Sequence, residues 1–178
     1  MSTAAPRYAP LVRRLHWLMA VMIGLSYLLI EQRGLFARGT PGRNFMMQSH
    51  YWIGLAIFAL VWLRLVQRRG LAAPGVTPAL PAWQSALSKL LHVALYAFFI
   101  VMPLLGLATA WLDGKMLYLP FTQIMVPPLL AENEALAHTV EDLHKLVGNI
   151  FYWVIGLHIA AALYHHFVRR DDTLKRML

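Results

Sequence analysis

The chain contains no cysteine and is poor in charge: Asp, Glu, Lys and Arg together make up 13% of its 178 residues. Without cysteine there is no disulfide, no thiolate nucleophile, no cysteine-ligated zinc or iron–sulfur cluster, and no covalently attached c-type haem. A soluble domain carries about 25% charged residues, so this chain lacks the polar surface needed to be wetted on all sides. What it has instead is apolar length, with 59% hydrophobic residues and a mean hydropathy of +0.54. It also has eight histidines, and any metal it binds must use these or Met, carboxylate and carbonyl donors.

A membrane-spanning helix needs roughly 20 predominantly apolar residues. Four stretches free of Asp, Glu, Lys and Arg qualify: Leu15–Ile30, which is short, and the fuller Asn44–Leu63, Leu90–Leu112 and Leu146–Val168. They predict one all-α domain over residues 1–178, an integral-membrane four-helix bundle with helices at roughly 13–31, 44–66, 87–112 and 144–168. A fifth uncharged run, Met116–Ala131, contains Pro120, Pro127 and Pro128. Paired prolines remove amide donors that a lone span in lipid cannot replace, so it reads as a loop along the membrane surface. Arg13 and Arg14 precede the first span as in a signal peptide, but no small-residue cleavage site follows Ile30. That segment is expected to remain as an anchor.

Four spans put both termini on one side. That side holds eleven basic residues, Arg7, Arg13, Arg14, Arg64, Arg68, Arg69, Lys89, Arg169, Arg170, Lys175 and Arg176, against Asp171 and Asp172. The other side holds five basic residues against six acidic ones. By the positive-inside rule both termini are cytoplasmic. The same asymmetry accounts for the isoelectric point near 10.2 as a topogenic signal, which removes the case for a nucleic-acid partner and leaves membrane lipid as the surrounding one.

Orientation sorts the histidines by depth. His16 begins the first helix at the inner side and His50 begins the second at the outer side, while His144 and His158 lie at the outer end and inner half of the fourth. At about 100° and 1.5 Å per residue, the fourteen residues between His144 and His158 fall about 40° short of whole turns and span about 21 Å. The two imidazoles therefore share one face at two levels, with the first helix offering a partner at the inner level and the second at the outer. Two stacked bis-histidine haems need such pairs, one axial imidazole on each side of each porphyrin. Four residues beyond these histidines stand Ala20, Gly54, Gly148 and Ala162, small enough for a macrocycle to approach; the same offset from His92, His138, His165 and His166 gives Tyr96, Asp142, Arg169 and Arg170. Zinc is the rival metal, but separated pairs leave each ion short of a tetrahedral set. Proton handling by intramembrane histidines is the non-redox alternative.

At these positions the sequence resembles the bacterial cytochrome b561 family, small four-helix di-haem proteins of the inner membrane. The likeness rests on Leu15-His16-Trp17, on His50, and on the run from His144 through Gly156-Leu157-His158 to His165-His166. The resemblance implies two non-covalent haem b groups, with His16 and His158 on the inner iron and His50 and His144 on the outer. It further implies electron transfer across the membrane to or from quinone. Some members resemble a superoxide:ubiquinone oxidoreductase, which makes an oxidoreductase passing electrons from periplasmic superoxide to ubiquinone the preferred reading. Similar cytochrome subunits of dehydrogenases and hydrogenases make a docked redox partner subunit the alternative donor.

Other residues invite secondary roles. Arg33, Arg38 and Arg43 oppose only Glu31 in the first outer loop, a patch suited to steering a small anion. Arg13 and Arg14, just before His16, suit the propionates of the inner haem. His165 lies seven residues beyond His158 on the same face, a place for a quinone contact, with Lys89 and His92 at the start of the third helix as further candidates. His138 falls in an acidic stretch expected to be a loop, with no partner in view.

Overall fold

The computed structural model describes residues 7–69 and 74–178. Four long helices dominate it: α1 (Pro10–Gln32), α2 (Pro41–Arg68), α3 (Ala82–Leu112) and α4 (Glu134–Tyr164). Each is long and apolar enough to cross a membrane. Prolines at the first positions of α1 and α2 set the entry, where a missing amide costs nothing because the first-turn donors are unpaired in any case. Asn133 caps α4, its side chain accepting from the Leu136 amide at 3.0 Å.

That cap starts α4 ten residues before the position expected from the uncharged run, which changes the reading of His138. It is a helical residue rather than a loop residue, exposed, with Glu134 one turn away at 3.8 Å. The proline-rich segment does not span. It folds into a two-stranded antiparallel ribbon of β1 (Leu117–Tyr118) and β2 (Met125–Val126). Trp52 and Gln48 of α2 hold the ribbon through the Tyr118 and Met116 carbonyls and the Tyr118 amide.

Helix α1 packs on α2, α2 on α3, and α3 on α4. The most buried cluster is small: Met19, Ile57 and Val61, with Met22, Ile23, Ile53, Tyr96, Phe99 and others packed on it. Phe98 and Phe151 stack at 3.9 Å between α3 and α4. The outer surface is apolar, with Val21, Leu28, Leu90, Trp153 and Phe167 all more than half exposed. In lipid the exposed apolar side chains lose nothing, and helices associate by packing and hydrogen bonding rather than by escape from water.

The start of α1 and the C-terminal residues meet at one end of the bundle, the terminal end. After α4 the helix widens through His165–Arg169, and Arg170 turns the chain in the left-handed region at φ 56°. The tail then folds back across this end. The Tyr8 amide donates to the Arg176 carbonyl at 3.1 Å, Trp17 Nε1 to the Met177 carbonyl at 2.9 Å, and the Thr77 amide to Asp172 Oδ1 at 2.9 Å. Arg13 donates to the Leu178 carbonyl and Arg176 to the Pro74 carbonyl. The last eight residues thereby tie the start of α1 to the α2–α3 connection and the end of α4.

Candidate functional site

The helices bring the histidines together in pairs at two levels. At the terminal end His16 of α1 faces His158 of α4, with ring centroids 6.2 Å apart and planes at 75°. Towards the opposite end His50 of α2 faces His144 of α4, at 6.4 Å and 81°. The buried Met19, Ile57 and Val61 come from the stretches of α1 and α2 between these levels, so an apolar layer separates them.

These distances can be tested against a metal between the rings. A metal–imidazole bond of about 2.0–2.1 Å, with the ring centre about 1.1 Å behind its nitrogen, puts two trans imidazoles about 6.2 Å apart, centre to centre. Both pairs fit. Each supplies two donors only, and among the described residues no group of three or more His, Asp or Glu side chains is arranged to hold a bare ion. Two donors suit an iron that already has four nitrogens from a macrocycle.

A cavity of 390 Å³ lies beside the His50–His144 pair, within the size range of cofactor sites. Gly54 opens onto it, and a side chain there would meet nothing within 4 Å. At Gly148 an added methyl would only touch Met102, at 3.5 Å. Gly106 of α3 makes room in a way that sequence spacing on the histidine-bearing helices could not reveal: a Cβ there would stand 3.1 Å from the His144 ring. His50 is held by α1, its Nδ1 lying 3.0 Å from both the carbonyl and the hydroxyl of Ser26. Donation of Nδ1–H to that carbonyl leaves Nε2 with its lone pair free, the second-shell arrangement that metal-binding imidazoles use.

The terminal-end pair has other neighbours. His92 of α3 stands edge-on to His158 at 5.5 Å and gives its Nδ1–H to the Ser88 carbonyl at 2.6 Å. His16 Nδ1 receives a bond from Arg64 Nη1 of α2 at 3.0 Å. Of Arg13 and Arg14, expected beside His16 as propionate partners, Arg13 donates to the Leu178 carbonyl of the folded-back tail and Arg14 is exposed. Of the three residues grouped at the start as quinone contacts, His92 turns into the bundle, Lys89 is exposed, and His165 is engaged by Asp171 at 2.6 Å.

The arginines of the first loop divide similarly. Arg33 lines the cavity beside His50. Arg43 spends its guanidinium on the Arg33 and Phe36 carbonyls, at 2.9 and 3.4 Å, and Arg38 is exposed. Lys115 and Lys145 also line the cavity, each paired with carboxylates, Asp113 at 2.6 Å and Glu141 at 2.9 Å.

Comparison with known proteins decides the family. A family model described as prokaryotic cytochrome b561 matches residues 7–178. The chain belongs to the prokaryotic cytochrome b561 family. It is 33% identical over 164 residues to cytochrome b561 homolog 1 of Escherichia coli, covering 92% of each chain. It is 33% identical over 172 residues to the probable superoxide oxidase CybB of Yersinia pestis, covering 97% of this chain and 96% of that one. Cytochrome b561 homolog 2 of E. coli is 27% identical over 178 residues. The protein is thus a multi-pass prokaryotic membrane protein of electron transfer, from a family with haem-binding capacity.

Proposed function

We propose that the protein is a superoxide:quinone oxidoreductase that holds two haem b groups and passes electrons through the membrane, with the terminal end in the cytoplasm and the His50–His144 level towards the periplasm. The observation that carries this reading is the pair of imidazoles at each of two levels, with ring centres 6.2 and 6.4 Å apart, and the apolar layer between. The likeness to a probable superoxide oxidase supports the substrate. On this reading His16 and His158 would hold the haem iron at the inner level, and His50 and His144 that at the outer.

Bound there, haem b supplies one-electron storage and transfer. The chain's own residues do the rest. Ser26 fixes the tautomer and orientation of His50, and Gly54 and Gly106 keep the cavity and the His144 ring in place. Arg33, helped by the exposed Arg38, biases the approach of an anion towards the cavity; Arg43 braces the loop that carries them. The reaction balances when two superoxide anions each give up one electron and leave as dioxygen, while one quinone takes both electrons and two protons to become the quinol. The protons come from the cytoplasmic side, and His92, beside His158 at 5.5 Å, is the nearest of the three expected quinone contacts to that histidine level.

Superoxide-dependent reduction of ubiquinone by the purified protein tests this directly. The rate is expected to fall about tenfold or more between low and high salt, as steered association does, and Arg33→Glu is expected to lower the low-salt rate and flatten the salt dependence. A salt-independent rate contradicts steering. Absence of the reaction in protein that carries both haems favours a docked redox subunit as donor instead.

A further inference from the structure

Helix α2 repeats the spacing of α4. Both run from the far end to the terminal end, and Arg64 follows His50 by fourteen residues as His158 follows His144. Arg64 therefore occupies on α2 the level that His158 occupies on α4, and its Nη1 reaches His16 at 3.0 Å. A snorkelling arginine one turn from a helix end sends its charge outward to water. This one turns inward: its guanidinium lies 5.8 Å from the Tyr96 ring, and its Nε is buried with no hydrogen-bond partner. Arg68 lies 5.8 Å from the same ring and donates to Tyr96 Oη at 3.0 Å. Among the described residues no carboxylate lies within ion-pair distance of either arginine. A guanidinium turned into the bundle without a counter-charge, as Arg64 is, is costly unless an anion joins it.

The bond to His16 sharpens the point. A guanidinium only donates, so His16 Nδ1 accepts, and its proton sits on Nε2. The tautomer is opposite to that of His50, whose Nδ1–H goes to Ser26 and leaves Nε2 free. For His16 to present a free Nε2, Arg64 must give up Nδ1 and take another acceptor.

We infer that Arg64 is the anion clamp of the terminal-end site: it binds a carboxylate of the haem held there, and in moving to that carboxylate it frees His16 to take the ligating tautomer. Arg68, anchored on Tyr96, supports the same charge. The inference rests on the di-haem reading and adds Arg64 to Arg13 and Arg14, which the sequence suggested as propionate partners.

Release of haem from the full-length protein into excess apomyoglobin tests it, with haem and haem dimethyl ester as the two probes, because the ester has no carboxylate. In the wild type one of the two haems is expected to leave about tenfold faster as the ester, the loss of one charge-assisted contact. Arg64→Gln is expected to speed release of that haem to a similar extent with no further change for the ester, and to lower the midpoint potential of that haem alone. Arg64→Lys should restore much of the potential. Equal acceleration of haem and ester by Arg64→Gln overturns the inference, pointing to a lipid phosphate or a structural role for Arg64. If Arg64→Gln does not assemble, the wild-type probes still decide, since equal release of haem and ester is then the contrary result. Wild-type protein that binds no haem defeats the di-haem reading itself.

Discussion

Replacing His144 with alanine is expected to leave one haem per chain where the wild type holds two, and His50→Ala should give the same remaining spectrum. His16→Ala and His158→Ala should remove the other haem instead. The two classes follow from geometry: His144 faces His50 at 6.4 Å, and His158 faces His16 at 6.2 Å, on opposite sides of the Met19–Ile57–Val61 layer. A haem with no covalent attachment would be held there by its two imidazoles, so removing either one is expected to weaken its retention. Ser26→Ala is a milder companion, since the Ser26 carbonyl still accepts from His50. Haem content by pyridine haemochrome and the absorption of the surviving haem check the grouping. Loss of a haem on His92→Ala but not on His158→Ala would overturn it, because His92 also stands beside His158.

Asp171→Ala is expected to be the most damaging change outside the histidine levels. Its side chain is fully buried where the tail turns back, accepting from His165 at 2.6 Å, from Arg169 Nε at 3.2 Å and from the Thr173 amide at 3.0 Å. Burial alone pushes its carboxyl up, but the His165 and Thr173 bonds outweigh burial and hold it below the ordinary 3.8. A carboxylate depressed in the fold contributes stability that is complete above its ordinary value and is lost as the pH falls through the lower one. Its removal strands His165 and part of Arg169, at a cost of about 2–4 kcal/mol, and should lower the unfolding midpoint by roughly 5 °C or more. The loss should be felt from pH 5 to 8 and shrink towards pH 3. An unchanged midpoint at neutral pH would show that the tail does not hold the terminal end together. Arg170→Gly, which relieves the left-handed turn, should not destabilise it.

The spans were legible because freedom from charge over about 20 residues is itself the physical requirement for crossing lipid. Their ends were not, since Asn133 and Pro41 start helices in water, where charge is no obstacle to helix formation; His138 was misplaced for that reason. The two depths of histidine followed from helical rise and the order of spans. Gly106 did not, because the side chain it accommodates belongs to another helix, and no spacing within α3 refers to His144. Arg64 was hidden among Arg68 and Arg69, where a basic cluster reads as a topogenic signal whichever way one member points. Arg13 looked suited to a propionate by proximity to His16, yet it donates to the Leu178 carbonyl. That contact joins residues 165 positions apart, and no local pattern encodes it.

The central claim is that each chain holds two haem b groups, each between a pair of imidazoles. A reduced-minus-oxidised spectrum of the purified full-length protein, taken with a haem count per chain, measures this most directly. The account predicts two non-covalent b-type haems, both low-spin in the oxidised state. One haem, none, or a high-spin signal from either would contradict it.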